Sequence, residues 1–347
     1  MSHGEELRTI TDTFLEQNPN GLLLCEGIDD GLFGTIDGLS SKYPLQCIEL
    51  PCSENASVGM ALGAACYGLL PILCYQRVEF ALLALEQLFN NTTKISYLSS
   101  GSRSNPALFR FIIGRGWGQG PSHSQSLEGL FQQIPEINLF MPVFPEDSHF
   151  IIKYFPSQLA PTISLEHRWV HYAERSGISV RKAAPYVIKS GKDLTIIASS
   201  YNVLLALRVA DCAKDIGIEI EVVNLLTIQF NAELTAVIDS IQKTGRVIFL
   251  ELAHAWNGIS NQYVSKLYQL GLTLDAPPII IGCKQSFSPS SFRLAGQYYL
   301  NCMDVGSAIA QTLGLNKDER SRLMNLCESV DKKSPCDQPS PSFKGPF

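Results

Sequence analysis

The sequence predicts an α/β protein built from two doubly wound, mostly parallel sheets, and three observations lead there. Short apolar runs of strand length alternate with helix-period segments along most of the 347 residues. The strand-like runs are apolar throughout rather than alternating, as expected of strands covered by helices on both faces. The series also stops and restarts across Arg175–Lys192, a stretch carrying Gly177, Pro185 and Gly191, so the chain divides there.

The amphipathic N-terminus leads into apolar runs at Leu22–Cys25, Cys47–Leu50, Leu70–Tyr75, Leu108–Ile113, Asn138–Met141 and Thr162–Leu165, each read as a buried strand. Helices are expected at Asn55–Tyr67, rich in Ala and Gly, and at Phe80–Ser96, where apolar residues recur at helical spacing. The second series runs strand, helix, strand, helix, strand, helix: Leu194–Ser200, Val203–Ile216, Ile218–Leu226, Ala232–Gln242, Arg246–Leu252 and Ile259–Leu270. Domains are therefore expected over residues 1–185 and 190–315. Residues 316–347, charged and then Pro/Ser-rich, read as a tail that is disordered or ordered by a partner.

Charged residues make up only 17% of the chain, below the roughly 25% of an average domain, which suggests surface covered by another subunit. A net charge of −6 and no basic run interleaved with aromatics exclude a general nucleic-acid binder. Cys25, Cys47, Cys66 and Cys74 lie inside apolar runs as small hydrophobes, and no Cys/His spacing suits a metal. No apolar stretch reaches the roughly 18 residues of a membrane span, and a cytoplasmic protein is expected.

Three segments carry side chains suited to chemistry. In Pro51–Gly68, Glu54 ends a strand and opens a helix, at the sheet edge where open α/β folds bind ligands. Taken alone, it reads first as a favourable first-turn acid beside the Ser53 cap. In Cys74–Phe89, Tyr75, Gln76 and Arg77 occupy a strand end before Phe80; an arginine there suits a carboxylate or phosphate, or pairs with Glu79. In Ile112–Ser126, Gly114, Gly116, Gly118 and Gly120 form a loop that delivers His123, a side chain able to move protons near neutral pH. This loop is neither a Walker loop nor a dinucleotide fingerprint. His167, Arg168 and His171 follow a strand exit, toward a partner or a substrate entrance, while Trp117 would shape a pocket or anchor its loop.

The order Ser53-Glu54-Asn55, Gly59, Gly63-Ala64-Ala65, then an aromatic-headed helix, then His123-Ser124-Gln125-Ser126 resembles the β subunit of 2-oxo acid dehydrogenase E1. That is the pyruvate, branched-chain and acetoin group within the transketolase-like thiamine diphosphate superfamily. The resemblance covers roughly residues 20–315 and includes Gly27–Gly34, Leu165–Tyr172 and Leu274–Gly282. It implies a pyrimidine-binding domain followed by a transketolase C-terminal-like domain. Glu54 would activate thiamine diphosphate, Gln76 would line its bend, and Phe80 would stack on its aminopyrimidine. His123 would transfer protons or handle the acyl group, with Tyr75, Arg77 and Gln125 toward the substrate.

Many such subunits carry Gly-Glu-Asp where this chain has Gly27-Ile28-Asp29, which removes a carboxylate expected near the cofactor or a subunit contact. Arg77 and the loop Gly114–Gly120 also differ from the pyruvate enzyme. The family's diphosphate motif, Gly-Asp-Gly with a spaced Asn, has no counterpart at Asp29-Asp30-Gly31 or Ile36-Asp37-Gly38. The resemblance therefore implies an E1 α-like partner supplying Mg²⁺ and the diphosphate site in an α₂β₂ assembly, with a lipoyl E2 as acyl acceptor and a 2-oxo acid as substrate. An E2-independent carboligase or transketolase-like enzyme, and a non-catalytic subunit, are the competing readings.

Overall fold

A computed structural model describes residues 1–115, 118–229, 231–256 and 258–333. The described residues form two units: 1–113 with 130–182, and 114–129 with those from 183 to 333. The short 114–129 segment thus leaves the unit that surrounds it in sequence.

The first unit opens with α1 (His3–Gln17), capped by a Ser2/Glu5 capping box. Its strands are β1 (Gly21–Cys25), β2 (Cys47–Glu49), β3 (Leu70–Tyr75), β4 (Leu108–Ile113), β5 (Asn138–Phe140) and β6 (Thr162–His167). They pair in the order β2-β1-β3-β4-β6-β5, every pair parallel. Two longer helices, α2 (Glu54–Cys66) and α3 (Pro145–Tyr154), join α1 in this unit. Leu70–Tyr75 and Leu108–Ile113 form strands over the expected residues, because mostly apolar side chains, broken in the second only by Arg110, fill both faces of a central strand. Phe80–Ser96 is not one helix. It is a short α-helical turn at Val78–Ala81, a 3₁₀ turn at Leu82–Ala84, a π-helical stretch at Gln87–Thr92 and a further turn at Ile95–Leu98. Gln87 presses on α2 so closely that a Cβ at Gly59 would stand 2.8 Å from Gln87 Nε2.

An ion pair lies inside this apolar unit. Arg110, 1% exposed on β4, donates from Nε and Nη2 to the two carboxylate oxygens of Glu166 on β6, at 2.8 and 2.9 Å. Burial alone would raise the Glu166 carboxyl, but the Arg110 guanidinium outweighs it and holds the group well below the usual carboxylate range. His171 Nε2 stands 3.6 Å from Glu166, so this histidine sits in the core rather than at an entrance. His3 joins the cluster through Ser148 Oγ (2.8 Å) and Val170 O (3.2 Å).

The second unit holds β7 (Tyr186–Lys189), β8 (Leu194–Ala198), β9 (Ile220–Asn224), β10 (Val247–His254) and β11 (Ile279–Cys283) in the order β11-β10-β8-β9-β7. All pairs are parallel except β7 with β9. Its helices include α4 (Tyr201–Lys214), α5 (Thr235–Thr244), α6 (Ile259–Gln269) and α7 (Cys302–Leu313). The expected tail is ordered over α8 (Lys317–Lys333): Leu323 and Cys327, four residues apart, are fully buried. Cys327 Sγ packs where Gly306 has no side chain, and the Asp331 carboxylate accepts the backbone N–H groups of Cys302 and Met303 at 3.0 and 3.1 Å, capping α7. Residues 334–347 lie outside the described residues. Among those described, no helix is long and apolar enough to cross a membrane.

The histidines give a test of the first core. Burial, and then the neighbouring His171, push His3 down to about 3; burial pushes His171 down to about 4 against the pull of Glu166. Unfolded imidazoles titrate near about 6.5, so the unfolded chain binds more protons across the window between, and stability falls as pH drops through it. Thermal unfolding measured from about pH 7 to about pH 4.5 should show that slope, and His171→Asn should make it shallower. Removing one partner of the ion pair by Glu166→Gln should cost about 3–5 kcal/mol in denaturant unfolding, because a buried guanidinium is left uncompensated.

Candidate active site

Parallel strands bring their carboxyl ends to one edge, and in the first unit that edge gathers the acidic and aromatic side chains. Glu54 is the first residue of α2, 9% exposed, just past the end of β2. Its main chain is held from below: Tyr75 Oη donates to Glu54 O (2.8 Å) and lies 2.6 Å from Ser57 Oγ, which also donates to Glu54 O (2.9 Å). Tyr75 stacks in turn on Phe111 of β4, with ring centroids 5.2 Å apart. A side chain expected to face substrate therefore fixes the start of the helix that bears Glu54.

Beyond Tyr75, Gln76 Nε2 donates to Glu26 O at 3.3 Å, and Phe80 is half-buried on the turn that follows. Arg77 is 4% exposed, with its guanidinium 5.7 Å from the centroid of the Phe33 ring. Arg168, 6% exposed at the exit of β6, lies 4.4 Å from the same centroid and 5.4 Å from that of Tyr172. Burial lowers the Arg168 guanidinium from its ordinary value. Phe33 reaches this position on four consecutive left-handed residues: Gly31, Leu32, Phe33 and Gly34 have φ of 74°, 43°, 57° and 83°. Such a conformation costs roughly 1–2 kcal/mol at each non-glycine position, strain of the kind held at functional sites.

Sequence reasoning missed the carboxylate at the end of β1. Ile28 leaves that position without one, and Glu26 stands close by: the acid oxygens of Glu26 and Glu54 and the Cys52 sulfur lie within 4.8 Å of one another. The charges of Glu26 and then Glu54 raise the Cys52 thiol. The trio has the chemistry of metal ligands, but Glu26 and Cys52 are exposed, an arrangement common without a cation. The signal was present in register, since Glu26 leaves β1 beside Glu49, whose carboxylate accepts the Gly27 and Ile28 N–H groups at 2.7 and 2.8 Å.

His123 and Gln125, both half-buried, stand in the second unit on the 114–129 segment. Gly114 N–H donates to Gln125 O at 2.9 Å and closes the base of this loop. Arg115 lies 4.6 Å from the centroid of Tyr299 and 5.5 Å from that of Tyr201. Gly120 passes Ser290 so closely that a Cβ there would meet Ser290 Oγ at 2.3 Å. Gly116 and Trp117 lie outside the described residues.

The donor set of the first unit fits a nitrogen heterocycle: a buried carboxyl at a helix start can share a proton with a ring nitrogen, and the half-buried Phe80 ring can stack. Residues 3–162 match the family model of the transketolase pyrimidine-binding domain, and residues 184–301 match the transketolase C-terminal domain. Among curated proteins, the chain is 28% identical over 294 residues to the acetoin:2,6-dichlorophenolindophenol oxidoreductase subunit beta of Cupriavidus necator, covering 82% of this chain and 85% of that one. It is 27% identical over 303 residues to the pyruvate dehydrogenase E1 component subunit beta of Bacillus subtilis (84% and 93%). The fold is shared with a split-gene transketolase solved as an inactive β4 tetramer, with a TM-score of 0.73 at 20% identity over 91% of this chain and 99% of that one. A Pichia stipitis transketolase also shares it (TM-score 0.63, 16% identity), this chain spanning 46% of that one. With both domains in that order over most of its length, the chain belongs to the transketolase-like family that contains the E1 β subunits.

Proposed function

We propose that this chain is the β-type subunit of a thiamine-diphosphate-dependent enzyme that decarboxylates a 2-oxo acid, an E1-like component working with an α-like partner. The observation that carries the reading is Glu54, buried at the start of α2 and fixed there by Tyr75, in a chain whose relatives are E1 β subunits. Thiamine diphosphate, when bound, supplies the carbon nucleophile that adds to a 2-oxo carbonyl and the electron sink that allows carbon dioxide to leave. Glu54 would hold a proton against the pyrimidine ring nitrogen, Phe80 would offer its ring face, and Gln76 would border the cofactor. His123 would move protons at the reacting carbonyl oxygen, with Gln125 beside it on the same loop. Arg77 and Arg168 flank Phe33 as a positive wall suited to an anionic group of the substrate, next to Tyr75.

The partner would hold Mg²⁺ and the diphosphate in an α₂β₂ assembly. Exposed Trp256, Tyr268 and Phe287 on the second unit agree with a surface that another chain covers. A lipoyl E2 as acceptor and an aldehyde or sugar as acceptor are separated by running a lipoyl-domain acylation assay beside an aldehyde-acceptor assay.

In the reconstituted complex, Glu54→Gln should lower turnover by about 100-fold or more while assembly persists, because the amide cannot share the proton. Unchanged turnover would remove this mechanism. Arg77→Ala should raise KM for anionic 2-oxo acids roughly tenfold, the size of one charge-assisted hydrogen bond. An unchanged KM for every accepted substrate would place Arg77 outside the substrate site.

A further inference from the structure

The segment that carries His123 ends on a buried acid to which neither the sequence reading nor the proposed chemistry gives a role. Glu128 is 2% exposed. Its Oε1 accepts the Ala253 N–H from β10 at 3.3 Å, and its Oε2 is buried with no hydrogen-bond partner among the described residues. Two residues before Ala253, Glu251 is equally buried. Glu251 occupies a prepared position: its carboxylate accepts the Ser260 N–H in the first turn of α6, and a Cβ at Gly258 would stand 2.5 Å from its Cδ. A second glycine, Gly282, makes room on the other side, where a Cβ would lie 2.9 Å from Glu251 Cβ.

Two buried carboxyl groups in one neighbourhood, Glu251 lying two residues from the Ala253 that Glu128 bonds, cannot both ionise without a large penalty. The helix-start N–H donors favour the charged form of Glu251, whereas Glu128 Oε2 meets no donor among the described residues, so the proton belongs on Glu128. We propose that Glu128 is a positioning residue that, as a neutral acid accepting the Ala253 N–H, pins the His123-bearing segment to β10. It completes a set of anchors in which the Gly114–Gln125 bond closes the loop base and Arg115 holds its start on Tyr299 and Tyr201. The titratable and charged groups on the surrounding elements of this unit are Glu251 and His254 on β10, Tyr263 on α6, Cys283 on β11, and Arg115.

Burial, and then the charge of Glu251, push Glu128 up to about 7. Burial raises Glu251 as well, against the opposing Ser260 bonds. The docked segment keeps a proton that the undocked one releases at about 4.3, so docking weakens as pH rises from there and carries its full penalty above about 7.

The consequence for catalysis rests on the role proposed for His123; the docking itself does not. Amide hydrogen exchange of residues 114–129 in the full chain, corrected for intrinsic rates, should accelerate about tenfold or more between pH 6 and pH 8, each pKa unit being a factor of ten. Glu128→Gln, neutral at every pH and able to accept the Ala253 N–H through its amide oxygen, should keep the segment protected and flatten that dependence. Glu128→Ala should leave it unprotected throughout and, in the reconstituted complex, lower kcat more than it raises KM. Equal pH dependence in wild type and Glu128→Gln, or unchanged protection in Glu128→Ala, would overturn the proposal. His123→Ala separates the two ideas. Full activity there would refute the catalytic role while the exchange results still support docking; lost activity with unmoved exchange in the Glu128 variants would refute docking alone.

Discussion

Every strand of the first sheet runs in the same direction, and that constraint decides where its chemistry can lie. Parallel pairing forces a crossover after each strand, so the chain turns at the same edge each time. Glu26 leaves β1, Glu54 opens the helix after β2, Tyr75 to Arg77 leave β3, and Arg168 leaves β6. The sheet order β2-β1-β3-β4-β6-β5 brings exits far apart in sequence onto neighbouring strands. Glu26 and Glu54 are thereby placed within reach of one ligand, and Arg77 and Arg168 on one ring.

Such an edge needs a rigid support. The Arg110–Glu166 pair crosses from β4 to β6 in an interior where uncompensated charge would be expensive, and its two-point geometry fixes the register between those strands. Arg110 Nη2 also donates to Thr35 Oγ1 at 3.1 Å, next to the strained turn that presents Phe33. The core charge and the arginine wall above it are thus linked through one short segment.

Much of this was legible in the sequence. Largely apolar runs located the parallel strands, and the company of Glu54, Phe80 and His123 pointed to the family. What stayed hidden depends on contacts that spacing does not carry. Glu26 was overlooked because a carboxylate at a strand exit gains its meaning only when the strand beside it is known. The helical periodicity of Phe80–Ser96 is real, but periodicity does not carry how the turns are wound, here α, 3₁₀ and π in succession with Gln87 close against Gly59. The segment around Pro185 read as a linker, yet Tyr186–Lys189 pairs antiparallel with β9, a partner more than thirty residues away that local composition does not reveal. Lys317–Lys333 looked too charged to order, since its apolar contact with the chain is confined to a narrow stripe that includes Leu323 and Cys327.

The account makes this chain one half of a divided site, with the pyrimidine end of the cofactor here and the diphosphate on a partner. Calorimetric titration of thiamine diphosphate with Mg²⁺ into the chain alone, and into the chain reconstituted with its native α-like partner, tests that division most directly. The account predicts saturable binding only in the reconstituted complex. Stoichiometric, Mg²⁺-dependent binding by this chain alone would contradict it.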